Sequence, residues 1–119
     1  MKSLGDEYEQ QAALFMERQG LKIIAQNYRC RCGEIDLIAA HGNTIVFIEV
    51  RARGNPRYAT AAASVDHRKQ QRLLRTAQVY LQRHKKFANL PCRFDVITFE
   101  PRQSTQNVTP QWIRGAFTN

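Results

Sequence analysis

Two acidic residues near the middle of the chain, Asp36 and Glu49, stand among residues of a very different kind. Asp36 lies in Gly33-Glu-Ile-Asp-Leu-Ile-Ala39 and Glu49 in Thr44-Ile-Val-Phe-Ile-Glu-Val-Arg-Ala-Arg53, with His41-Gly42-Asn43 between the two stretches. Both arms are apolar with β-branched types prominent, and the joint carries Gly and Asn, which predicts a β-hairpin. Residues two apart in a strand share a face. Glu34 and Asp36 therefore lie on one side of the first arm, and Glu49, Arg51 and Arg53 on one side of the second. A two- or four-residue loop puts Asp36 and Glu49 on a common face, whereas a three-residue loop separates them. On a common face the two carboxylates repel, and one pKa rises unless a cation lies between them. Carboxylate oxygens around one point also suit a hard divalent ion such as Mg²⁺.

The plain alternative is a solvated hairpin face on which Arg51 or Arg53 pairs across the strands with Glu34 or Asp36, for modest stabilisation. Ile45-Val46-Phe47-Ile48 speaks against it. That run is apolar on both alternations, as in a strand covered on both sides. A carboxylate in such a strand needs a partner or a metal.

The remaining elements have to position these groups. Leu4, Tyr8, Ala12, Phe15 and Gln19 follow helical spacing, with Ala13, Leu14 and Met16 broadening the apolar face, so a first helix is expected over Leu4 to Gln19 and a stop at Gly20. Glu9 borders that face. Leu21 to Tyr28 reads as a strand leading into the hairpin, completing a three-stranded meander. Gly54-Asn55-Pro56 ends regular structure, and Arg57-Tyr58 with Ala59 to Ala63 reads as a loop able to touch phosphate and base. A second helix is expected over Val65 to Arg83, capped by Ser64 or Asp66, with Leu73, Leu74, Ala77, Tyr80 and Leu81 as its buried stripe. Its other surface is basic: His67, Arg68, Lys69, Arg72, Arg75, Arg83, His84, Lys85 and Lys86. Lys69 stands one turn before Leu73 and so begins near the buried stripe. Cys92 to Phe99 is apolar on both alternations, with Asp95 as its odd acid. Val108 to Ile113 adds a short edge strand broken by Pro110, and the tail Arg114 to Phe117 docks Phe117 on the core. The order α-β-β-β-α-β-β implies an α/β fold, a mixed central sheet with flanking helices on both faces.

A chain of 119 residues fits one domain with a core of its own. The 18 Lys and Arg against 10 Asp and Glu leave a net charge of +8, which points to a polyanionic partner such as nucleic acid. No apolar run reaches membrane-spanning length, and the N-terminus lacks a secretory signal, so a cytoplasmic protein is expected with no membrane partner. Cys30, Cys32 and Cys92 are an odd number without a matching second pair or a histidine cluster. Free thiols are therefore expected rather than zinc or disulfides.

The chain resembles the YraN family of small bacterial proteins. The likeness rests on Gly33 to Ala39, on Phe47-Ile-Glu-Val-Arg-Ala-Arg53, on Val65-Asp-x-x-Lys69, on Arg93-Phe-Asp-Val-Ile97 and on Ala116-Phe117. The resemblance implies a restriction-endonuclease-like fold and a divalent-metal-dependent endonuclease, with Mg²⁺ or Mn²⁺ as cofactor and DNA, branched or structured DNA among the candidates, rather than RNA as partner. It implies Asp36 and Glu49 as metal ligands and catalytic acids, with Glu9 as the helical auxiliary ligand. Arg51 takes the place where that signature has Lys. Being unable to lose its proton, Arg51 is expected to act as a phosphate clamp. Lys69 is a candidate substitute for the missing lysine, and Arg53, Arg57, Lys69, Arg68 and Arg72 are expected to contact nucleic acid. Nucleases that cut both strands often act as symmetric pairs, so a homodimer is compatible with the reading. A nucleic-acid-binding module without chemistry is the alternative.

Overall fold

The sequence places its most apolar run, Ile45 to Ile48, in the middle of the sheet. The computed structural model describes residues 4–52, 65–99 and 110–117. Its elements follow the order α1 (Leu4–Arg18), β1 (Lys22–Cys30), β2 (Gly33–His41), β3 (Thr44–Ala52), α2 (His67–Arg83), β4 (Cys92–Phe99) and β5 (Gln111–Phe117), with a short 3-10 turn at Lys85–Phe87. The five strands lie side by side in chain order. β3 and β4 run parallel and the other neighbours antiparallel. A parallel neighbour requires a crossover, and α2 supplies it. The protein is thus α/β, with a mixed sheet and a helix on each face. Among the described residues no helix is long and apolar enough to cross a membrane.

β3 is central, so both of its faces are covered. Val46 and Ile48 join Leu37, Ala39, Ile97 and Phe99 beneath Tyr8, Ala12, Ala13 and Met16 of α1. Ile45 and Phe47 join Phe94 and Val96 beneath Leu73, Ala77 and Tyr80 of α2. Rings reinforce both layers: Tyr8 meets Phe99 at 4.9 Å, and Phe47 stacks on Phe94 at 5.3 Å.

Several boundaries differ from expectation for local reasons. α1 ends at Arg18, and Gly20 with φ 93° lets the Leu21 N–H return to the Met16 carbonyl. Leu14 does not broaden the apolar face; it points to solvent at 42% exposure, because that face is already filled by Ala12, Ala13 and Met16. α2 begins at His67 rather than Val65, since Asp66 has extended backbone and caps the helix with its side chain. Val65 precedes the cap, fully buried. Phe117 docks on the core as expected, stacking on Phe94 at 5.0 Å, but Arg114 to Phe117 does so as the second half of β5 rather than as a tail. Residues 108 and 109 lie outside the described residues, as do Arg53, Arg57 and Tyr58.

Asp95 explains that longer strand. Its fully buried carboxylate accepts from Arg93 Nε at 3.1 and 3.2 Å, from Trp112 Nε1 at 2.9 Å and from the Gly115 N–H at 2.9 Å. Two of these donors belong to β5, and the β4–β5 register shifts between Phe94 and Val96 to seat them. Removing one side of a buried, hydrogen-bonded ion pair strands the other. Asp95→Ala is therefore expected to cost about 2–4 kcal/mol of stability, read as a lower urea midpoint at unchanged slope.

Candidate functional site

The hairpin loop is two residues long. His41 faces Thr44, and Gly42 with φ 61° takes the left-handed conformation of a tight turn. Asp36 and Glu49 therefore fall one step beyond Leu37↔Ile48, the last pair of the β2–β3 ladder. There the two strands part, and the Val50 N–H donates to Asp36 Oδ2 at 2.8 Å instead of to a β2 carbonyl. On the other side of β2, the pairs Gln26↔Leu37 and Tyr28↔Ile35 flank Asn27 and Asp36, and Asn27 has φ 53°. Asn tolerates that conformation better than most residues. The alternation of side chains breaks here too: Ile35 lies under α2 and Leu37 under α1. Asp36 thus stands at an irregularity where groups from both layers reach it.

Glu49 comes from the α2 side. Its side chain is 6% exposed, and Oε1 lies 2.9 Å from Lys69 Nζ and 3.7 Å from Arg51 Nη1. Burial and the charge of Asp36 push its pKa up to about 7, outweighing the contrary pull of Lys69 and Arg51. Glu9 comes from the α1 side. Burial, then a hydrogen bond with Asp36 and its charge, with lesser effects of Asp6 and Glu34, raise Glu9 to about 7 as well. The Asn27 amide lies 3.2 Å from both Glu9 oxygens, and with its nitrogen turned toward them it donates to both.

Lys69 owes its position to the start of α2. Asp66 Oδ1 accepts from the Lys69 N–H at 2.8 Å, and Gln70 Nε2 donates to the Val65 carbonyl at 2.9 Å. With Val65 buried, the first turn is fixed at both ends, and Lys69 extends back toward β3 as helical side chains do. Arg68 and Arg72 are exposed on the same helix. A hollow of about 360 Å³ lies among Arg68, Gln71, Arg72 and Arg75. A second, of about 220 Å³, lies among Gly33, Glu34, Lys69, Arg72 and Leu73. Arg72 borders both. Glu34 forms an exposed ion pair with Arg29 at 2.9 Å.

Of the residues expected to act together, the structure gathers Glu9, Asp36, Glu49, Arg51 and Lys69, with Arg68 and Arg72 alongside. Lys69 differs from the solvent-facing cations in that its ammonium is drawn in to Glu49. Asn27 and Asp66 were not singled out as site residues. Asp66 had a legible signal in its capping position three residues before Lys69; Asn27 had none, because only the fold sets it against Glu9.

Asp36 and Glu49 offer hard oxygen donors, and their mutual repulsion is the imbalance a divalent cation relieves. Mg²⁺ commonly takes one or two carboxylates and completes its shell with water and phosphate, so this pair fits the ion in donor chemistry. Among the described residues no group of three or more His, Cys, Asp or Glu is arranged to hold a metal. Glu9 is brought to Asp36 by a hydrogen bond without joining a three-ligand set. The cysteines form no disulfide.

A raised acid carries a definite pH signature. Folded Glu49, at about 7 against an ordinary 4.5, binds protons that the unfolded chain has released, so stability declines as pH rises from about 4.5 to about 7 and then levels. Glu9, raised to the same value, contributes to the same decline, so Glu49→Gln is expected to make it shallower, and Glu9→Gln with Glu49→Gln to flatten it, in denaturation midpoints measured across the range. Metal ions compete with the same proton, so Mn²⁺ affinity by calorimetry is expected to rise with pH through about 7.

The pattern of the uncharacterised protein family UPF0102 matches residues 8–99. The chain is 48% identical to a UPF0102 protein of Alcanivorax borkumensis over 116 residues, covering 98% of this chain and 92% of that one. It is 47% identical to one of Methylobacillus flagellatus over 117 residues, covering 98% of each. It is 43% identical to one of Pseudomonas fluorescens over 113 residues, covering 95% and 91%. With the family pattern covering most of the chain and relatives matching nearly end to end, the protein belongs to the UPF0102, or YraN, family.

Proposed function

We propose that this protein is a divalent-metal-dependent endonuclease-like protein of restriction-endonuclease-like fold, acting on DNA. The observation that carries the reading is Glu49: a carboxylate buried in a central strand beside Asp36, raised to about 7, with Lys69 Nζ 2.9 Å away. The meander of β1 to β3, the crossover through α2 and the placing of acids on adjacent strands agree with that fold. When bound at Asp36 and Glu49, Mg²⁺ or Mn²⁺ would supply a Lewis acid and lower the pKa of water. Asp36 is held in place by the main-chain N–H of Val50 on the neighbouring strand. Lys69 presents three N–H donors, and an ammonium, unlike a guanidinium, belongs to the class of groups used for proton transfer. It therefore fills the role that the lysine of the nuclease signature has, from a different element. Arg51, always charged, is suited to hold a phosphate oxygen. Arg68 and Arg72 would contact the backbone of the nucleic acid further along α2, which bears no acidic residue from His67 to Arg83.

A second reading, favoured by Arg51 in the lysine position and by the absence of a three-ligand group among the described residues, is a nucleic-acid-binding module without cleavage. Labelled linear, single-stranded and four-way-junction DNA, incubated with Mn²⁺ or Mg²⁺, separates the two. The endonuclease reading expects cutting that EDTA abolishes and Asp36→Ala removes. Lys69→Ala is expected to lower the rate by about a hundredfold or more, and Lys69→Arg not to restore it. Salt-dependent binding without cutting would move the protein to the second reading. In either case Arg68→Ala and Arg72→Ala are each expected to reduce the slope of log affinity against log salt by about one.

A further inference from the structure

Cys30 and Cys32 belong neither to the carboxylate cluster nor to the arginine face. They flank Arg31 in the tight turn between β1 and β2, where Cys30 pairs with Gly33. The Cys32 N–H points at Cys30 Sγ, 3.3 Å away. Burial pushes the Cys30 thiol up, but the N–H groups of Cys32 and Gly33, the Thr76 hydroxyl and the Cys32 thiol outweigh it and hold Cys30 below its ordinary value. Thr76 has one proton to give. It donates to the Arg72 carbonyl at 2.8 Å, and a thiolate, as a charged acceptor, is the better partner for a hydroxyl that rotates freely. Cys92 has no such donors and is only pushed up by burial.

The same turn rests on α2. A Cβ at Gly33 would meet Thr76 Oγ1 tightly at 3.3 Å and Arg72 Cβ at an ordinary 3.7 Å, and the φ of 148° is one that favours glycine, so the turn packs directly on α2. Gly33 and Glu34 then line the hollow that Lys69 and Arg72 share. We propose that Cys30 and Cys32 form a reversible redox pair, closed by a low-molecular-weight disulfide, and that closure loosens the β1–β2 turn from α2.

The chemistry balances as thiol–disulfide exchange. The Cys30 thiolate attacks one sulfur of the small disulfide, whose S–S bond breaks and releases one thiolate. The Cys32 thiolate then attacks the Cys30 sulfur, forming the Cys30–Cys32 bond and expelling the second small thiolate. The two protons from the protein thiols end on the released thiolates; the protein pair is oxidised and the small disulfide reduced. A disulfide sulfur is a poor acceptor, so the Cys32 and Gly33 N–H groups lose the partner that Cys30 gave them, and the Thr76 hydroxyl is left to the Arg72 carbonyl alone. On the nucleic-acid reading above, on which this consequence rests, oxidation reshapes the hollow bordered by Lys69 and Arg72.

The test uses the full chain in glutathione buffers of graded ratio, quenched with acid, alkylated and read by mass spectrometry. The expected result is loss of two hydrogens from the peptide holding Cys30 and Cys32, reversed by dithiothreitol, at ratios where Cys92 is still alkylated. Cys30→Ser and Cys32→Ser should each abolish it, and Thr76→Val should slow Cys30 alkylation about threefold. Oxidation of all three thiols in parallel, or a stable glutathione adduct on Cys30 without closure, would overturn the pair. Faster amide exchange at residues 30–33 and 72–76 on oxidation is expected, and unchanged exchange would overturn the link to α2. None of these readouts depends on DNA cleavage, so their failure and that of the endonuclease reading are told apart.

Discussion

The parting of β2 from β3 after Leu37 and Ile48 is the constraint around which the site is built. A backbone N–H left inside a sheet must find an acceptor, and once the strands separate the β2 main chain no longer offers one to Val50. The Asp36 carboxylate takes its place. That hydrogen bond fixes a charged side chain by a main-chain atom of the neighbouring strand, so Asp36 cannot move without undoing the fork itself. Glu49 follows on the next position of β3 toward α2, and Glu9 arrives from α1. A defect in the ladder thus creates a point that both helical layers reach.

Burial then sets the electrostatics. Glu49 is buried away from water, so the neutral form gains and the charge of Asp36 adds to the effect. Lys69 opposes both and loses, although its ammonium touches the carboxylate. The outcome is a group that changes charge close to neutrality, tied to a lysine whose backbone is itself held by Asp66. A chain of local contacts, from the buried Val65 through the helix cap to the lysine, makes the charge at Glu49 depend on how α2 is seated.

Much of the architecture was legible because period and composition spoke clearly. Ile45 to Ile48 and Cys92 to Phe99 are apolar on both alternations, which is what strands covered on both sides require, and the structure places them in the sheet interior. The Gly42-Asn43 joint allowed the short loop that the ladder adopts. Less was legible where a single residue answers to a distant one. Asp95 looked merely odd, since its donors on Trp112 and Gly115 lie far along the chain. The continuation of β5 past Arg114 was missed for the same reason, because the Asp95 carboxylate, rather than any local pattern, recruits Gly115. Asn27 in a left-handed conformation within a strand leaves no trace in hydrophobic spacing. Lys69 stood beside the buried stripe in sequence, but its meeting with Glu49 follows from α2 crossing β3 at that level.

The irregularities in the two outer strands have a consequence for how molecules of this protein meet. β1 shifts register between Ile23 and Ala25 and turns left-handed at Asn27, while β5 is offset against β4 and carries Gly115 at φ 58°. Such bulges spoil the even row of donors and acceptors that an added strand would copy. Among the described residues both rims of the sheet are therefore poor templates for an added strand, which guards against edge-to-edge aggregation in a crowded solution.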